Sequence, residues 1–254
     1  MQLNFRKSGK GPNLIILHGL FGSADNWMSI AKNLENDFTL FLIDQRNHGD
    51  SGHSDDWDYN VMVEDLKEWM DEQGLEKAYL MGHSMGGKTA MNFALRYPEK
   101  VERLVIADMA PREYPIHHQP ILEGLNAVNL SKISSRNDAE EAMKPHIPEP
   151  GIRQFLLKSL TRKNGEFVWK INLSVITEKI ENVGEGIGGD SVFNGPTLFM
   201  GGANSNYIQD KDKKDIDKFF PESHVIHIKN AGHWLHAEQP QAVVDTLKAF
   251  LRPN

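Results

Sequence analysis

Apolar residues in this chain come in short unbroken runs separated by amphipathic stretches. Asn13-Leu14-Ile15-Ile16-Leu17, Phe38 to Ile43, Lys77 to Met81, Val101 to Ala107, Pro196 to Met200 and His224 to Ile228 each read as a strand. A run that is apolar on both faces is what a parallel strand needs when helices cover it above and below. Residues 2–7 predict a short edge strand. Helical spacing appears between these runs, from Asn26 to Leu34 and from Tyr59 to Gln73, where Val61, Val63, Leu66, Trp69 and Met70 share a face and Gly74 supplies a C-cap. Further helices are expected over Gly87 to Leu95, stopped near Tyr97-Pro98, over Asp210 to Phe220 and over Gln241 to Leu251. This alternation predicts an α/β fold with a mostly parallel central sheet and helices on both faces.

The alternation breaks after Asp108-Met109-Ala110-Pro111. Residues 112–189 hold no strong buried strand, only helical stretches at Gln119–Val128, Asp138–Lys144, Ile152–Leu160 and Leu173–Asn182, with a short hairpin at Lys163-Asn164-Gly165-Glu166. The expected organisation is a core of residues 1–111 and 190–254 carrying a helical cap (lid) inserted at 112–189. Such a lid would lie over the strand ends, where open α/β sheets place their ligands.

Composition narrows the function classes. The 254 residues carry a net charge of −7, which argues against nucleic acid and anionic membrane surfaces as partners. There is no cysteine, so disulfides, thiolate metal sites and cysteine nucleophiles are excluded. The first residues lack the apolar stretch of a secretion signal, and no run approaches a membrane span, so a soluble cytoplasmic protein is expected.

The chemistry centres on Gly82-His83-Ser84-Met85-Gly86, a G-x-S-x-G between a strand and a helix with small residues in its first turn. That context makes a nucleophile elbow, with Ser84 on a turn too sharp for side chains at positions 82 and 86. A serine hydroxyl needs a base within reach. Of eleven histidines, His233 follows the last strand, has Gly232 before it and arrives at the same sheet edge as Ser84. The order nucleophile, acid, histidine fits it. The acid is less simple. The loop after the 196–200 strand reads Gly201-Gly202-Ala203-Asn204-Ser205-Asn206-Tyr207, with Ser205 in the slot where a carboxylate is expected. Asp108, at the end of the neighbouring strand, is therefore preferred as the acid, with Asp210 the alternative, and Ser205 supports the Asp108–His233 pair. The oxyanion donors are the backbone N–H groups of Met85 and of Leu20, with Phe21 in reserve, and His18-Gly19 shapes that loop. Asp44-Gln45-Arg46-Asn47-His48-Gly49 is neither a phosphate loop nor a metal site, and Arg46 and Asp44 are expected to pair structurally. His236 is expected near the site in a supporting role, His227 on a sheet face, and Phe155, Trp169 and Met143 in the lid's core or lining an acyl site.

Taken together, His18-Gly19-Leu20-Phe21-Gly22-Ser23, Asp44 to Gly49, Gly82 to Lys88 and Ala231 to Glu238 resemble the α/β-hydrolase superfamily over nearly the whole chain. Within it, Asn47 after Arg46, Phe155 to Ser159 and Gly201 to Ser205 look like the bacterial YbfF-type esterases, which are similar to the abhydrolase-domain-11 group. The resemblance implies hydrolysis of a small-molecule carboxylic ester or acyl thioester without a cofactor. It also implies that Asp108, not Asp210, is the acid. The fold hosts many reactions, so a perhydrolase, a C–C hydrolase and a non-catalytic binding protein stand as alternatives, whereas a haloalkane dehalogenase would need aspartate at position 84.

Overall fold

The computed structural model describes residues 1–252. The first half runs β1 (Phe5–Gly9), β2 (Asn13–Leu17), α1 (Met28–Leu34), β3 (Thr39–Ile43), α2 (Tyr59–Glu72), β4 (Ala78–His83), α3 (Met85–Arg96) and β5 (Val101–Ala107). An insertion follows with α4 (Gln119–Ala127), α5 (Arg136–Met143), α6 (Pro150–Leu157), the hairpin β6 (Leu160–Lys163) and β7 (Glu166–Trp169), and α7 (Leu173–Glu178). The chain then returns through β8 (Thr197–Gly202), α8 (Lys213–Phe219), β9 (Ser223–Ile228), α9 (Leu235–Glu238) and α10 (Pro240–Leu251). The main sheet has the order β1-β3-β2-β4-β5-β8-β9, parallel throughout except for β1, which pairs antiparallel with β3 at the edge.

The unbroken apolar runs are explained by burial on two faces. In β2, Ile15 and Leu17 join a core with α2, α3 and α8, while Leu14 and Ile16 join a core with α1 and α10. Successive strand side chains point to opposite faces, so both sets must be apolar. Asp58 caps α2 by accepting the Val61 N–H at 2.9 Å, and Gly74 ends it at φ +65°.

The insertion buries a third cluster. Leu122, Met143, Leu156 and Ile176 pack with Leu20, Phe21, Trp57 and Met85, so its apolar side lies on the loops around Ser84. Its two ends meet at Lys88 of α3. That side chain is fully buried, and its Nζ donates to the carbonyls of Pro111 (3.1 Å), Arg112 (2.6 Å) and Glu185 (2.6 Å). The backbone ties the same two ends, with Tyr114 N–H on Gly184 O and Ile187 N–H on Pro111 O.

Some expectations need correction. Arg46 does not pair with Asp44; its guanidinium takes Asp65 of α2, with Nη2 on Oδ1 at 2.9 Å. Asp44 instead accepts from Asn4 Nδ2 and from the N–H groups of Ala24 and Asp50, which fixes the loop it begins. The helix expected over Leu173–Asn182 stops at Glu178 and continues as a tighter turn, Ile180–Gly184, in which Asn182 reaches the Trp57 carbonyl. The one expected over Asn26–Leu34 likewise starts as a tight turn, Ala24–Trp27, before α1.

Candidate active site

Ser84 joins β4 to α3 at φ +53°, ψ −117°, a conformation L-residues rarely hold. The glycines around it have no room for a side chain. A Cβ on Gly82 would stand 2.0 Å from Gly86 O, and one on Gly86 2.5 Å from the carbonyl oxygens of both Leu17 and His18. The elbow therefore packs backbone against backbone and leaves the Ser84 hydroxyl at the head of α3, facing a cavity of about 250 Å³.

That cavity is also lined by His233, from the loop between β9 and α9. His233 Nδ1 lies 2.8 Å from Asp108 Oδ2. Asp108 follows β5 at φ +48° and is fully buried. Its Oδ1 accepts from the Gly202 N–H at 2.9 Å, and its Oδ2 also accepts a short hydrogen bond from Ser205 Oγ. The carboxylate can only accept, so Nδ1 of His233 carries the hydrogen and Nε2 is left with its lone pair. Asp210 lies on the exposed turn before α8 and makes no contact with His233. Ser84 and His233 share the cavity, but no direct hydrogen bond joins them among the described residues; such bonds commonly tighten only in the substrate complex.

The loop opposite the elbow is braced by two buried histidines. His18 Nδ1–H donates to Gly19 O at 2.8 Å and its Nε2 accepts the Gln45 N–H. His48 Nδ1–H donates to Arg46 O, and its Nε2 accepts the Phe21 N–H at 3.2 Å. Burial pushes both below the ordinary histidine range, His48 to about 3, so both act as neutral struts. The Phe21 N–H is thus occupied, whereas the Leu20 N–H has no acceptor among the described residues. Met85 is the first residue of α3, where the N–H has no intrahelical acceptor.

The cavity holds further side chains, of which His83 lies within the elbow motif and His236 is the one expected near the site, whereas the sequence assigns no role to Trp27, His118 or Tyr207. Trp27 stacks on His236 with ring centroids 4.3 Å apart, His83 donates Nε2–H to the His233 carbonyl at 2.8 Å, and Tyr207 stacks on the His233 ring at 4.2 Å. His118, just before α4, faces the same space. Trp27, His118 and Tyr207 come from three separate loops and turns, so no local spacing could announce them, although Tyr207, two residues past Ser205, stood in a loop already singled out. Of the named lid residues, Phe155 lines the cavity, whereas Met143 lies in the insertion's core and Trp169 packs against it. His227 reaches Ile208 O from β9, and Trp234 lines the cavity beside His233.

No described helix is long and apolar enough to cross a membrane, and no group of three His, Asp or Glu among the described residues could hold a metal ion.

A family model for the alpha/beta hydrolase fold matches residues 12–128. The chain is 36% identical over 241 residues to the esterase YbfF of Escherichia coli (strain K12), across 94% of this chain and 92% of that one. It is 37% identical over 248 residues to the sn-1-specific diacylglycerol lipase ABHD11 of Mus musculus, across 94% and 81% of the two chains. Among solved structures, a marine microorganism esterase superposes with a TM-score of 0.96 at 44% identity, covering 98% of this chain and 99% of that chain. With similarity of this extent added to the elbow and the sheet order, the chain belongs to the α/β-hydrolase family, among its esterase- and lipase-type members.

Proposed function

We propose that the protein is a serine esterase that hydrolyses carboxylic esters, or acyl thioesters, of small to medium acyl chains through an acyl-enzyme. Ser84 Oγ attacks the acyl carbonyl while His233 Nε2 takes its proton. The oxyanion is held by the N–H groups of Leu20 and Met85. Collapse breaks the bond to the leaving alcohol or thiol, which receives the proton from His233. Water then attacks the acyl-serine by the same route in reverse and releases the acid. Asp108 holds His233 in the Nδ1–H tautomer and balances the imidazolium charge. Ser205, through its bond to Asp108, and His18, through the Leu20 loop, support these groups. Residues 112–189 act as the cap over this site, and the chain works in the cytoplasm.

The observation that carries the reading is the His233–Asp108 contact of 2.8 Å beside a strained elbow serine in one cavity. The cavity supports an uncharged acyl group. Leu20, Phe21, Ile121, Ile152, Phe155 and Leu156 make its apolar wall, and among the described residues no Asp, Glu, Lys or Arg lines it. The test is fluorophosphonate labelling together with turnover of a short-chain p-nitrophenyl ester series and a matching acyl-CoA series. Wild type should label and turn over, and S84A should lose both. Labelling of Ser84 without turnover of either series would favour a binding protein instead.

A further inference from the structure

Tyr207 covers the imidazole of His233. The ring centroids are 4.2 Å apart and the planes only 23° from parallel. This tyrosine is held from several sides. Its N–H donates to Ser205 Oγ at 3.2 Å, and its carbonyl accepts the Tyr114 hydroxyl. Its ring lies 5.2 Å from that of Tyr114, over which the Arg112 guanidinium stacks at 3.8 Å from the centroid. Arg112 is itself fixed by an ion pair with Asp212 at 2.8 Å. The Tyr207 hydroxyl, by contrast, makes no protein hydrogen bond among the described residues. What the fold has fixed is the ring face.

An aromatic face is electron-rich and attracts a cation stacked on it more than a neutral ring. His233 changes between those two states in each half of the proposed reaction. We propose that Tyr207 is a positioning residue, holding the His233 ring on line for proton transfer and stabilising the imidazolium form through its π face. This rests on the reading of His233 as the base.

His117 lines the same cavity, and the titratable groups interacting with His233 are Asp108 after β5, His83 at the end of β4, His118 before α4 and His236 on α9. Burial drives the three histidines below the ordinary range, His118 to about 4 and His236 to about 3, so none adds a like charge beside the imidazolium near neutrality. Burial likewise raises the Tyr207 phenol, which stays neutral.

The experiment measures kcat, KM and the pH dependence of kcat/KM for p-nitrophenyl ester hydrolysis by the wild type, Y207F, Y207L and Y207M. Y207F keeps the face and should retain most of the rate and the wild-type profile. Y207L should lose about 3- to 30-fold in kcat with KM changed less than about 2-fold. Without the ring the imidazolium is less stable, so the base loses its proton more readily and the acidic limb should move down by about 0.5–1 pH unit. The limb reads only folded enzyme, and Y207M repeats the test should Y207L fold poorly. An unmoved limb in both Y207L and Y207M, or a Y207F as impaired as Y207L, would overturn the proposal. H233A is the separate control: full turnover there would remove the base assignment itself, independently of Tyr207.

Discussion

Asp108 combines a charge, complete burial and a left-handed backbone, and it is tolerable because three donors converge on it: Gly202 N–H, Ser205 Oγ and His233 Nδ1–H. In D108N the amide no longer demands the Nδ1–H tautomer, and kcat should fall by roughly 10³- to 10⁴-fold with KM little changed. S205A removes one donor and leaves the His233 contact, so a smaller loss and a displaced pH profile are expected. Steady-state kinetics across pH separates the two, and a rate and profile in S205A identical to wild type would remove Ser205 from the mechanism. At this scale the sequence was most informative where the geometry is local. The elbow is five residues long, with Gly82 demanded by the Gly86 carbonyl and Gly86 by the carbonyls of Leu17 and His18. The choice of Asp108 over Asp210 came from its place at the end of a buried strand and was supported by the likeness to other chains, because strand order decides which carboxylate meets a distant imidazole. Tyr207 was beyond reach, since a ring stack between two loops leaves no periodicity.

Among the elements, the strands were legible because a parallel strand covered on both faces is apolar over most of its length; β2 and β5 fall where the runs predicted, β5 with the polar pair Glu102-Arg103 near its start. Helix ends were less so. The stretch from Leu173 alters its winding after Glu178 because Asn182 is drawn to the Trp57 carbonyl, a tertiary contact that spacing does not encode. Lys88 is another such case, a lysine within a helix whose ammonium ties both ends of the insertion. Burial pushes it down from the ordinary lysine value of 10.5 to about 7. Between those values the unfolded chain holds a proton that the native chain lacks, so Lys88 makes stability rise with pH from about 7 towards 10. Urea unfolding at pH 7 and pH 9 should therefore show wild type gaining on K88M, by up to about 1.4 kcal/mol per pH unit. K88M should also exchange the Tyr114 and Ile187 amides at least about tenfold faster, as hydrogen-exchange NMR would detect.

The whole molecule gathers neutral histidines around its reactive edge, and this sets its acid tolerance. His48, His118 and His236 lie at about 3, 4 and 3 because burial disfavours their charged forms. As pH falls below about 6.5 the unfolded chain takes up protons that these three refuse, so stability drops until about pH 4 to 3. Each group contributes up to about 1.4 kcal/mol per pH unit in that window and nothing above it. Thermal melts from pH 7.5 to 4 should be flat at first and then fall steeply, and H48Q should soften the fall. The sheet order has a different consequence. β5 and β8 are neighbours, and the insertion between them departs and returns beside one ammonium. The insertion thus enters and leaves the fold at one point, between adjacent strands of the main sheet. On the proposed reading that single junction hinges a roof to its floor: a change in the insertion would reach the cavity through Leu20, Phe21 and Met85 while the strand order beneath it stays as it is.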